Sequence, residues 1–119
     1  MDFKSELIHL DGLPWEPFGG GTKGIFRKIL SVMTFPSGFK AALTLAKPDG
    51  EFPEHIDPYT HIFYILEGEG EVLLEGRKIP MKRGDSLTVK AGKKHGYRNK
   101  KQTDFILITL NIFERSKEQ

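Results

Sequence analysis

The chain has 119 residues and a net charge of +2, from 18 Lys and Arg against 16 Asp and Glu. That is one domain's worth of sequence, domains running to about 100–200 residues, with charge too balanced for a dedicated nucleic-acid binder. Hydrophobic residues make up 38%, including nine Phe, three Tyr and one Trp, enough to form a core and to exclude disorder as the default state. Cysteine is absent, which excludes disulfides, thiol nucleophiles and Cys-based zinc or iron–sulfur sites. The longest purely apolar run, Ile62 to Leu66, has five residues, far short of the roughly 20 a membrane-spanning helix needs. The opening MDFKSELIHL carries Asp2, Lys4 and Glu6 where a secretory signal would be apolar, so a cytoplasmic location is expected.

In chain order, residues 1–24 form a loop-rich N-terminal segment. Three consecutive glycines, Gly19 to Gly21, and the prolines at 14 and 17 exclude a regular helix over its second half. Its apolar residues Leu7, Ile8, Leu10, Leu13 and Trp15 are expected to cover a sheet of the domain or of a partner subunit. Residues 25–113 then read as extended segments separated by turn signals every 8–12 residues or so, the pattern of an all-β sandwich or barrel. The segments run Ile25–Thr34, Lys40–Lys47, Ile62–Glu67, Glu71–Glu75, Lys78–Met81, Ser86–Lys90, His95–Asn99 and Phe105–Phe113. Between them lie Pro36-Ser37-Gly38, Pro48-Asp49-Gly50, Gly68-Glu69-Gly70, Gly76-Arg77, Arg83-Gly84-Asp85 and Ala91-Gly92. Glycine supplies positive φ in such turns, and Pro or Asp pre-sets their geometry. Only Phe3–Leu10 and the charged tail, 114–119, could be helical, and with no long helices between strands a parallel α/β sheet is disfavoured.

Chemistry concentrates in three of the four histidines. His55, Asp57 and His61 stand at i, i+2 and i+6, and His95 follows two hairpins later. Side chains two apart on a strand share a face, so His55 and Asp57 aim together, and His61 joins them if the strand direction recovers after Pro58. Imidazole and carboxylate are natural ligands for Zn, Fe, Mn, Ni or Co. Hydrogen-bonded histidines filling a barrel are the competing structural reading, and for Asp57 it is a turn residue at Pro58. By the same alternation Phe63 and Ile65 share the facing of His61, and Tyr97 that of His95, giving apolar walls to a small-ligand pocket or a plain core. His9 lies outside the pattern. Asn99 reads as a strand-end residue, Arg83-Gly84-Asp85 as a turn, and the run Lys90, Lys93, Lys94, Arg98, Lys100 and Lys101 as a solvated rim.

Two longer patterns make the chain resemble the cupin superfamily. The stretch GEFPEHIDPYTHIFYILEG, Gly50 to Gly68, resembles the first cupin motif, G-x5-H-x-H-x3,4-E-x6-G. His55 takes the first His position, Asp57 stands where the second His belongs and His61 where the Glu belongs, with Gly50 one position closer than the pattern. Gly84, Gly92, His95 and Asn99 match the second motif, G-x5-P-x-G-x2-H-x3-N, with Lys90 in place of the Pro. The resemblance implies an antiparallel double-stranded β-helix, or jelly-roll barrel. It also implies one divalent transition metal on His55, Asp57, His61 and His95, three imidazoles and a carboxylate with the usual roles of two positions exchanged. The function it implies is a metalloenzyme acting on a small carbonyl or carboxylate compound, dioxygenase-like or otherwise. The alternatives are a metal-dependent sugar or uronate isomerase or epimerase and a non-catalytic small-ligand module. A small-molecule partner is expected, with no nucleic acid and no membrane, and a homodimer.

Overall fold

The computed structural model describes residues 7–33 and 38–113. The expectations for a helix starting at Phe3, for the turn at 36–38 and for the charged tail fall wholly or partly outside these residues. Among the described residues a single 3-10 turn, Leu10–Gly12, precedes nine strands: β1 Glu16–Pro17, β2 Lys23–Met33, β3 Gly38–His55, β4 Thr60–Glu67, β5 Glu69–Leu74, β6 Arg77–Lys82, β7 Ser86–Val89, β8 His95–Arg98 and β9 Phe105–Phe113. They form one curled antiparallel sheet in the order β6-β5-β8-β3-β9-β4-β7, with β2 paired to β3 and β1 to β2. This is the all-β barrel that the turn spacing and the two motifs imply. Among the described residues no helix is long and apolar enough to cross a membrane.

The long strand β3 closes the barrel. Its first half, Gly38 to Ala46, pairs with β9, and its second half, Glu51 to His55, pairs with β8. The switch falls at Pro48-Asp49-Gly50, which the sequence analysis takes for a turn ending a strand at Lys47. It is a kink within one strand instead. Asp49 adopts φ +67°, and a Cβ on Gly50 would stand 2.8 Å from the carbonyl oxygens of Gly24 and Lys47. Pairing resumes at once, Asp49 N–H donating to Asn99 O and Asn99 N–H to Gly50 O, both at 2.9 Å. A Pro-Asp-Gly triplet serves a turn and a bulge through the same positive-φ chemistry, so only the partner strand distinguishes them.

The core lies at one end of the barrel. Ile65, Val72, Phe105 and Leu107 are completely buried there, with Ile25, Ala46, Met81 and Val89 around them. Gly70 must be glycine, because a Cβ would collide with the Phe105 ring. Asn99, as expected, is structural: its amide donates to Ala46 O (3.0 Å) and Thr103 O (2.7 Å), and its Oδ1 accepts from Lys101 N–H (2.9 Å). On the outside, the buried Lys28 donates to Leu10 O at 2.8 Å and lies 4.7 Å from the Trp15 ring centre, tying the N-terminal segment to β2.

Candidate metal centre

Three strands and the β3–β4 loop bring the four sequence-selected side chains to the other end of the barrel. His55 ends β3, directly opposite His95 at the start of β8, and His61 enters from β4. Asp57 sits in the β3–β4 loop. One ligand atom from each of the four lies within 4.8 Å of all the others. His55 Nε2 and His61 Nε2 each stand 2.8 Å from Asp57 Oδ2, and His95 Nε2 is 3.8 Å from it. His9 is exposed and has no part in the group.

The outward-facing nitrogen of every ring is held. His55 Nδ1 lies 2.9 Å from Pro53 O, His95 Nδ1 2.9 Å from Lys93 O, and His61 Nδ1 2.8 Å from Asn111 Oδ1. A carbonyl oxygen only accepts, so each Nδ1 is the donor and carries the ring's proton. In neutral rings the three Nε2 lone pairs then point inward, at a carboxylate oxygen that also has only lone pairs to offer. Four acceptors facing one another repel unless a cation sits among them. Metal bonds of about 2.1 Å at right angles would set neighbouring donor atoms about 3.0 Å apart, close to the two 2.8 Å spacings seen. The donor set therefore fits a divalent transition metal. Burial in particular, and then the neighbouring His61 and His55, hold His95 below the ordinary imidazole value in spite of its bond to Lys93 and the Asp57 charge, which keeps its lone pair available.

Asn111 is the site residue that sequence reading misses. It lies on β9, 50 residues from the histidine it orients. Two polar residues two apart in the run FILITLNIF, Thr109 and Asn111, and so on one face, are the available signal.

Above the cluster opens a cavity of about 530 Å³, walled by Phe18, Phe52, Phe63, Tyr59 and Tyr97 with Thr44 and Thr109 at its side. The expected wall residues Phe63 and Tyr97 are there, while Ile65 belongs to the core. Burial raises the Tyr97 phenol far above its ordinary value. Tyr59 is raised too, first by burial and then by the Asp57 charge and a hydrogen bond to it. Both phenols stay protonated at neutral pH. Of the basic run around His95, Arg98, Lys100 and Lys101 point to acidic partners on the outer surface: Arg98 and Lys100 to Glu71, Lys101 to Glu69.

A curled antiparallel barrel with a His/Asp group at its open end defines a small all-β barrel with a candidate metal site. The chain belongs to the Cupin domain family, which matches residues 42–112. It is 33% identical over 79 residues to the polyketide synthase CurC of Streptomyces cyaneus, an alignment covering 64% of this chain and 51% of that one. It is 31% identical over 85 residues to an oxalate-binding protein of Thermotoga maritima, covering 71% and 62%. The chain thus spans about half to three-fifths of the length of these relatives. The polyketide cyclase RemF of Streptomyces resistomycificus superposes with a TM-score of 0.80 at 22% identity over 94% of this chain and 82% of that one, a likeness of fold.

Proposed function

We propose that the chain is a metal-dependent enzyme for a small carbonyl or carboxylate compound, with one divalent transition ion held by His55, Asp57, His61 and His95. The observation that carries this reading is the convergence of three imidazole lone pairs on one Asp57 oxygen, with each opposite nitrogen tied down as a donor. Bound there, the ion supplies Lewis acidity toward a substrate oxygen. The chain's own residues do the rest. His55, His61 and His95 are fixed in orientation by Pro53, Asn111 and Lys93. Phe18, Phe52 and Phe63 give the cavity an apolar wall. The protonated hydroxyl of Tyr97 is available to donate to a bound oxygen, while that of Tyr59 is directed to Asp57.

The aromatic walls Phe18, Phe52 and Phe63 suit the body of a small carbonyl or carboxylate compound, while Thr44, Glu54 and Thr109 in the same lining offer the hydrogen bonds that a sugar or uronate isomerase, the second reading, would need. That one curated relative is a polyketide synthase protein and another binds oxalate supports the carbonyl or carboxylate class. The reading includes a homodimer: Ile62, Tyr64 and Leu66 of β4 and Ile106, Ile108 and Leu110 of β9 lie on strands paired in register, and none of them is fully buried.

Elemental analysis of the purified chain tests the metal. One transition ion per chain is expected, lost in His95→Ala and kept in His9→Ala; a triple His55/His61/His95 alanine variant that keeps the ion at native affinity overturns the assignment. A small molecule recovered unchanged after prolonged incubation with the loaded protein, for every carbonyl and carboxylate compound that binds, would favour a non-catalytic module instead.

A further inference from the structure

Three cations on the outer rim of this barrel, Arg98, Lys100 and Lys101, are matched. Arg98 Nε donates to Glu71 Oε1 at 2.8 Å, Lys100 lies 3.9 Å from the same carboxylate and Lys101 3.6 Å from Glu69. Two cations on the inner face are not. Arg27 of β2 stands opposite Thr44 in the register, and Lys40 of β3 stands opposite Asn111. Directly opposed residues of antiparallel strands point to the same face, and Thr44 and Asn111 both line the cavity. Arg27 and Lys40 therefore rise on the cavity side.

Among the described residues no carboxylate forms an ion pair with either. Glu16, opposite Arg27 on β1, makes none. Arg27 Nε is buried without a hydrogen-bond partner, and the guanidinium lies 4.6 Å over the ring of Phe18, itself a cavity wall. Lys40 is half-buried, and its ammonium is held below its ordinary value first by that burial and then by the charge of Arg27. Two like charges kept near each other, partly out of water and without a counter-ion, are unfavourable alone and become favourable when an anion joins them.

We propose that Arg27 and Lys40 form an oxyanion subsite beside the cavity, holding the carboxylate or phosphate group of the small molecule whose body lies against Phe18, Phe52 and Phe63. The inference rests on the reading of the cavity as a ligand site and is independent of the metal. Arg27 contributes a planar fork of donors, its free Nε among them, and Lys40 a mobile point charge. Lys40 shares a cross-strand row with Asn111 and His61, so subsite and histidine cluster occupy one wall. A ligand touching both is anchored by charge at one end and presented to the cluster at the other.

Calorimetric titration of the full chain with inorganic phosphate, and separately with acetate, tests this on the wild type, Arg27→Met/Lys40→Met and Arg27→Lys/Lys40→Arg, with metal content measured on the same samples. The wild type should bind at least one of the two anions at one site per chain, the tighter one telling phosphate from carboxylate. The methionine pair should bind about tenfold or more weakly, and the charge-keeping pair should stay within about threefold of wild type, with unchanged metal content in both. Lys40→Met alone, at a half-exposed position, should lose affinity in the same direction and covers the case in which the double variant fails to fold. No saturable binding to the wild type overturns the subsite, as does equal affinity in the methionine variants or binding that disappears when the metal is chelated. A wild type that holds no metal and still binds the anion through Arg27 and Lys40 would sink the metal reading and leave the subsite standing.

Discussion

The two ends of the barrel are built by the same strands and do opposite things. Along β4 the inward residues run His61, Phe63, Ile65; along β8 and just beyond it, His95, Tyr97, Asn99; along β9, Asn111, Thr109, Leu107, Phe105. Each row starts at the histidine cluster, passes the cavity wall and finishes at the closed end. At that end Ile65, Leu107 and Phe105 are fully buried. At the other, polar atoms face one another around a cavity of about 530 Å³. Polar atoms gathered around a cavity contribute less to stability than a packed apolar core, and the packed end holds the strands in register. Stability and site are thus separable along one strand.

Separability gives a first, large effect. Phe105→Ala removes the largest fully buried side chain, the one Gly70 is shaped around, and should lower unfolding free energy by about 3–5 kcal/mol. Denaturant melts check the loss, and metal stoichiometry measured on the fraction that remains folded should not change. If metal affinity falls in step with stability, the two ends are one cooperative unit and the contrast fails.

The next effect lies inside the cluster, where the three histidines are not held alike. His55 and His95 lean on carbonyls two residues upstream, whereas His61 depends on a side chain from another strand. Asn111→Leu keeps the volume roughly constant and removes the acceptor, leaving His61 Nδ1–H without its partner. Metal affinity, read by competition with a chelator, should fall by about 10–100-fold, and Asn111→Asp, which restores an acceptor, should recover most of it. An unchanged affinity in the leucine variant would mean that packing alone orients His61.

This difference in support also explains what was legible beforehand. Period-two alternation was enough to place Phe63 beside His61 and Tyr97 beside His95, because facing on a strand is a local property. The two motifs brought His95 to His55, Asp57 and His61 across two hairpins. Asn111 was hidden because its role is fixed by cross-strand register, which is a property of the whole sheet. Arg27 and Lys40 were hidden for the same reason: each reads as an ordinary surface charge until Thr44 and Asn111 give its face. The passage of β3 through Pro48-Asp49-Gly50 required knowing that Asn99 would pair there.

The smallest expected effect contrasts inner and outer charges. Glu71 and Arg98 are directly opposed on β5 and β8, partly exposed and joined by a 2.8 Å hydrogen bond. That bond above all holds the Glu71 carboxyl below its ordinary value of 4.5; burial, the next effect, opposes it, and the charges of Lys100, Arg98 and Lys78 add to the lowering. A carboxyl lowered by folding contributes stability above its unfolded value, and that contribution is lost as pH falls through the folded value. Glu71→Gln should therefore cost no more than about 1 kcal/mol at neutral pH, and the gap to wild type should close as the pH is taken below 4.5. Added salt should narrow the gap at neutral pH as well, because solvent ions reach this pair. Parallel thermal melts of the two proteins across pH 3–7 and across salt concentration read both trends. A gap that ignored pH and salt would show that Glu71 acts through packing between β5 and β8, and the outer charges would then be no better matched than the inner pair.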